Sequence, residues 1–82
     1  MSNKNDLWEE LNTVFREVFN NKNLNITFST SNNDIDGWTS LSHALLIEAL
    51  EKKFNIVFDL DEILTMHSVE DIYNTIEKKI NS

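Results

Sequence analysis

The sequence predicts an all-α protein, a small bundle of three long helices and one short one with a long loop between the first two. Three observations predict it. Apolar residues recur at helical spacing in three separate stretches, around Leu7–Phe19, Leu41–Phe54 and Val69–Ile80. Proline is absent and glycine occurs once, so no helix-breaking residue interrupts those stretches. Strand-like alternation is confined to short connecting pieces, which would have no partner strand in so small a chain.

The first helix is expected over about residues 4–20. Leu7, Trp8, Leu11, Val14, Phe15, Val18 and Phe19 fall on one stripe, with Glu9, Glu10, Arg16 and Glu17 on the other side. That is a core-facing amphipathic helix, with Trp8 as a packing residue. From Asn20 to Asp36 the pattern breaks into a polar connection whose strong apolar points are Leu24, Ile26 and Phe28. These are expected to pin the loop to the core. A loop this long in a small domain is often functional.

The second helix is expected from Ser40 to about Phe54. Leu41, Ala44, Leu45, Leu46, Ile47, Ala49 and Leu50 make it apolar around much of its circumference, which predicts a central helix covered on several sides. Asn55–Leu60 connects it, with Ile56 and Phe58 turned inward, to a short helix over about residues 61–66. The last helix, about 69–80, starts at a near capping box, Ser68-Val69-Glu70-Asp71. Val69, Ile72, Tyr73, Ile76 and Ile80 form its buried stripe, and Lys78 and Lys79 suit its C-terminal dipole.

The 82 residues are too few to divide between two cores, so the chain reads as one domain over residues 1–82. Fourteen acidic residues against seven basic give a net charge of −7. Such a surface repels nucleic acid and anionic membranes and suits partners with basic docking patches. Without cysteine there is no disulfide and no thiolate metal site, and no metal site is expected. The polar start, Met1–Asp6, lacks the apolar core of a signal peptide, and no apolar run is long enough for a membrane span. A cytoplasmic monomer is expected.

The stretch richest in chemistry is Asp34-Ile35-Asp36-Gly37-Trp38-Thr39-Ser40-Leu41-Ser42-His43. It places Ser40 where a polar loop meets the N-terminus of an apolar helix. Free amides and the positive dipole end gather there and would stabilise an added phosphate. Gly37 allows the sharp turn before the helix. The residues by themselves leave a second reading open, in which Thr39 or Ser40 does no more than cap the helix.

Gly37-Trp38-Thr39-Ser40-Leu41, followed by Ala49-Leu50-Glu51-Lys52-Lys53-Phe54-Asn55-Ile56, resembles the attachment region of acyl and peptidyl carrier proteins. The similarity continues through Leu60-Asp61-Glu62-Ile63 and Ser68-Val69-Glu70-Asp71-Ile72, in register with all four expected helices. The resemblance implies a four-helix carrier fold and 4′-phosphopantetheine on Ser40, transferred from coenzyme A by a phosphopantetheinyl transferase. It further implies a carrier without catalytic residues of its own, loaded by an acyl or aminoacyl ligase and served by acyltransferase or synthase partners, as in fatty-acid biosynthesis. Leu41 would be the apolar neighbour that touches partners or the arm.

Two departures qualify what carries over. The family's aspartate before the serine is Thr39 here, which bears on transferase preference. The second helix is less acidic than is usual, keeping Glu48 and Glu51 while Leu45 occupies a position often charged. Both point away from the main fatty-acid carrier, and a single domain without linkers is expected to be a free-standing carrier for a dedicated pathway, its cargo fatty acyl, aminoacyl or specialised acyl. Leu41, Leu45 and Glu48, at i, i+4 and i+7, form a candidate docking face, unless Leu45 belongs to the core. Leu46, Phe54, Ile63 and Ile72 are candidates for an acyl pocket between helices, or for ordinary packing.

Rival readings come from other classes. Asn32, Asp34 and Asp36 before Gly37 match the first half of a calcium loop, but the twelfth position holds His43 where a bidentate glutamate is needed. Ser40 and His43 share a helix face, yet no residue is evident to orient the histidine or form an oxyanion site. His43 is therefore expected as a surface or partner-facing histidine, and His67 in the loop before the last helix. An unmodified helical adaptor is the remaining alternative.

Overall fold

The computed structural model describes residues 4–81, with side chains from Leu7 onward. Among these residues there are four helices: α1 (Lys4–Val18), α2 (Ser40–Phe54), α3 (Leu60–Thr65) and α4 (Val69–Ile80). The order and type of the elements are those expected from the periodicity. The end of α1 and both ends of α3 differ by one or two residues, and two of these shifts have a clear local reason.

Helix α1 stops two residues short of the expected end. Asn20 adopts φ 52°, and the amides of Asn20 and Asn21 bond back to the carbonyls of Glu17 and Arg16 at 3.3 and 3.0 Å. That is a Schellman termination with asparagine in the left-handed position usually given to glycine. Helix α3 begins one residue early because Asp59 is its N-cap, with the Glu62 carboxylate accepting from the Asp59 amide at 2.8 Å.

The core is the α1 stripe of Leu7, Leu11, Val14 and Phe15 packed against Leu46, Ile47 and Leu50 of α2 and Val69, Ile72, Tyr73 and Ile76 of α4. Burying each large apolar side chain is worth about 1.5–3 kcal/mol. Helix α2 departs from expectation. One face is buried, but Ala44, Leu41 and Leu45 face solvent, the leucines 72 % and 52 % exposed. Its all-round apolar character does not mean all-round cover. On α4, Ile80 falls outside the buried stripe because it lies in the last turn, beyond the cover of the other helices.

The loop between α1 and α2 is tied down at several points. Asn12, buried on α1, accepts from the Ile26 amide at 3.0 Å, and Arg16 donates to the Leu24 carbonyl and to Asn25. Ile26 is buried and Leu24 half-buried, whereas Phe28 is 47 % exposed and packs edge-on against Trp8 and Tyr73. No strand forms among the described residues, but a single antiparallel bridge joins Ser31 to Ser68. Its bonds are Val69 N–H to Thr30 carbonyl (2.8 Å) and Asn32 N–H to His67 carbonyl (2.9 Å). The loop finds its pairing partner in the turn before α4 instead of in a second strand.

Candidate functional site

Ser40 is the first residue of α2, and Gly37 and Thr39 before it and Ser42 after it set its position. Gly37 takes φ +87°, which turns the chain towards the helix. Thr39 follows in extended conformation as the N-cap, its Oγ1 accepting from the Ser42 amide at 3.3 Å, while its carbonyl accepts from the His43 amide at 2.8 Å. Ser42 donates its hydroxyl to the Gly37 carbonyl, closing the turn from the other side. The capping work therefore belongs to Thr39 and Ser42.

Ser40 is left exposed, its hydroxyl without a hydrogen bond to any described residue. The amides of Ser40 and Leu41, among the orphan donors of any helix start, likewise meet no protein acceptor among the described residues. An anion joined to Ser40 Oγ would lie beside two free N–H groups at the positive end of a fifteen-residue helix. The residues present thus suit a phosphate-linked group on Ser40.

Beside Ser40 opens a groove of about 490 Å³ lined by Asn32, Trp38, Thr39, His43, Ile63 and His67, among others. Trp38 is half-buried, its ring edge-on to Phe15 at 5.5 Å and tilted on Phe19 at 5.9 Å. His43 is half-buried as well, contrary to the expectation of a surface histidine. Its Nδ1 accepts from the Trp38 indole N–H at 3.1 Å, and its Nε2 meets the Ile63 carbonyl at 2.8 Å. Two ring nitrogens one turn from Ser40 are drawn inward because each has a partner there. With both occupied, His43 is in no position to take a proton from Ser40, and the Ser–His hydrolase reading loses its base. His67 is exposed in the connection before α4, where the sequence placed it.

Leu41, Leu45 and Glu48 share an exposed face of α2, and Glu48 makes a surface ion pair with Lys52 at 3.4 Å. Leu46 and Ile72 lie wholly inside the core, and Phe54 and Ile63 pack against it from the edge. Of these four, Ile63 alone lines the groove at Ser40. Asp34 accepts from the amide and hydroxyl of Ser31, so its carboxylate serves a local turn. Among the described residues no group of three or more acidic, histidine or cysteine side chains converges as a metal site would require. Among the described residues no helix is long and apolar enough to cross a membrane.

Sequence reasoning missed the pairing of Trp38 with His43. Its signal was present, an aromatic N–H donor and an imidazole flanking Ser40 five residues apart, but only the turn at Gly37 brings them together.

No family model and no curated protein matches the chain. Among solved structures, it is similar to the solution structure of a holo acyl carrier protein from Geobacter metallireducens, at 39 % identity. The match covers 92 % of this chain and 86 % of that one, with a TM-score of 0.85.

Proposed function

This chain belongs to the acyl carrier protein family, and we propose that it carries 4′-phosphopantetheine on Ser40 and presents an acyl group to partner enzymes. One observation supports this above the rest. Ser40 opens α2 with a free hydroxyl and free neighbouring amides, while Thr39 does the capping that would otherwise explain a serine there. The solved relative is a holo carrier, which agrees with a prosthetic group at the matching place. When joined, the arm supplies a terminal thiol that holds the cargo as a thioester.

What the chain itself contributes is position. The rigid start of α2 fixes the anchoring oxygen, and the exposed amides stabilise negative charge beside it. The groove between Trp38, His43 and Ile63 offers a partly apolar surface along the path an arm would take. Partners dock on Leu41, Leu45 and Glu48. Leu41 and Leu45, 72 % and 52 % exposed, together leave about 2–4 kcal/mol of apolar burial unrealised in the free protein, which an apolar patch on a partner would recover. Because Leu45 stands where the family often carries charge, the chain serves a dedicated pathway with a more apolar recognition patch than the main fatty-acid carrier offers.

Intact mass after incubation with coenzyme A and a broad-specificity phosphopantetheinyl transferase tests the reading, with Ser40→Ala in parallel. The expected result is a gain of one phosphopantetheine in the natural chain and none in the variant. A folded protein that gains nothing from several transferases would instead be an unmodified adaptor.

A further inference from the structure

We infer that His43 is a positioning residue, a latch that ties Trp38 and the end of α3 to the Ser40 turn of α2 and so sets the groove beside Ser40. The inference rests on the reading of Ser40 as the attachment site. Its chemistry is dictated by the partners. An indole N–H can only donate and a carbonyl can only accept. His43 Nδ1, 3.1 Å from the Trp38 indole nitrogen, must therefore offer a lone pair, and Nε2, 2.8 Å from the Ile63 carbonyl, must carry the proton. The neutral Nε2–H tautomer alone satisfies both bonds.

The carbonyl that His43 engages has no other donor at hand. Helix α3 ends at Thr65, and Met66 leaves the helix at φ −86°, ψ 99°. The amide that would have reached Ile63 is thus turned away, and its carbonyl is one of the orphans of a helix C-terminus. His43, twenty residues distant in the chain, supplies the missing donor. A six-residue helix has little stability of its own, so its place depends on such tethers. Lys79 of α4 holds Glu62 at 2.8 Å, and His43 holds Ile63 from the α2 side.

Trp38 extends the latch to α1. Its ring lies on Phe15 and Phe19, and the His43 ring stacks near it with an interplanar angle of 24°. The two residues that His43 bonds, Trp38 and Ile63, both line the groove, as does His43. Releasing the latch frees α3 to move from α2 and widens the space in which an arm on Ser40 would shelter. His43 thereby governs how much of the arm is exposed to water.

The chain has no cysteine, so the thiol of the arm would be its sole thiol and a maleimide reads that group alone. The test compares the natural protein with His43→Phe, His43→Gln and Trp38→Phe, each loaded from coenzyme A and then alkylated. His43→Phe keeps a ring and loses both bonds, and should raise the alkylation rate by about fivefold or more, fivefold being the factor that a single lost net hydrogen bond gives. Trp38→Phe should raise it in the same direction. His43→Gln, whose amide can accept from Trp38 and donate to Ile63, should restore most of the protection.

The unmodified protein gives an independent readout. The Trp38 indole proton, assigned by its loss in Trp38→Phe, should exchange slowly in the natural chain and in His43→Gln and quickly in His43→Phe. Equal alkylation rates in the natural chain and His43→Phe, or a natural arm as reactive as free coenzyme A, would overturn the inference and leave the carrier reading intact. Failure of Ser40 to load with any transferase would overturn the carrier reading and the inference with it, whatever the indole proton shows.

Discussion

Gly37 is the sole glycine of the chain, and it stands where the backbone needs a conformation that other residues resist. A Cβ added there would meet nothing within 4 Å, so the cost of replacing it is purely conformational. Gly37→Ala should destabilise the fold by about 1 kcal/mol, read as a lower urea midpoint at unchanged slope. The same region shows how a single hydroxyl changes role with position. Thr39 caps α2 and Ser42 closes the turn, which leaves Ser40 the one hydroxyl of the three with no structural duty. Left-handed asparagines play the part of glycine elsewhere, Asn20 after α1 and Asn55 after α2. In a chain this rich in asparagine that substitution was readable in kind, but which asparagine would end each helix was not.

At the scale of the element, α3 has no fully buried residue and depends on polar ties to its surroundings. Glu62 bonds the Asp59 amide at its start and pairs with Lys79 at 2.8 Å, with Lys79 also lying over the Phe58 ring. The hydrogen bond from Lys79, with that from the Asp59 amide, holds the Glu62 carboxyl below the usual carboxylate range, against a smaller opposing effect of burial. A depressed folded pKa stabilises the protein above the ordinary glutamate value and loses that contribution as pH falls through the depressed one. The stability gap between the natural chain and Glu62→Gln should therefore be widest near neutral pH and shrink on acidification. Urea midpoints taken across about pH 7 to pH 3 would show it, and a gap independent of pH would mean the pair contributes nothing.

For the whole molecule, the arrangement that matters is an uncovered apolar face on an acidic protein. With a net charge of −7 the chain attracts basic surfaces at long range, and Leu41 and Leu45 offer contact area at short range. Since Leu45 is half exposed and outside the core, Leu45→Arg should leave stability within about 0.5 kcal/mol. Loading by the transferase and turnover with downstream partners should fall several-fold, through binding more than through the maximal rate. Unchanged kinetics in a folded Leu45→Arg protein would remove that residue from the proposed docking face.

Sequence periodicity by itself determined the four helices, their order, the α1 and α4 stripes and the place of Ser40 at a helix start. These are local matters, since a helix is built from residues near in the chain and its buried stripe repeats every turn. What only the tertiary structure decided depends on residues far apart. Buried Asn12 anchors Ile26, Ser31 pairs with Ser68, and His43 caps Ile63, all contacts that no local pattern announces. The exposed side of α2 belongs to the same class. An apolar helix carries no mark of which face its neighbours will leave bare, because cover is supplied by other elements, and here they leave Leu41 and Leu45 exposed.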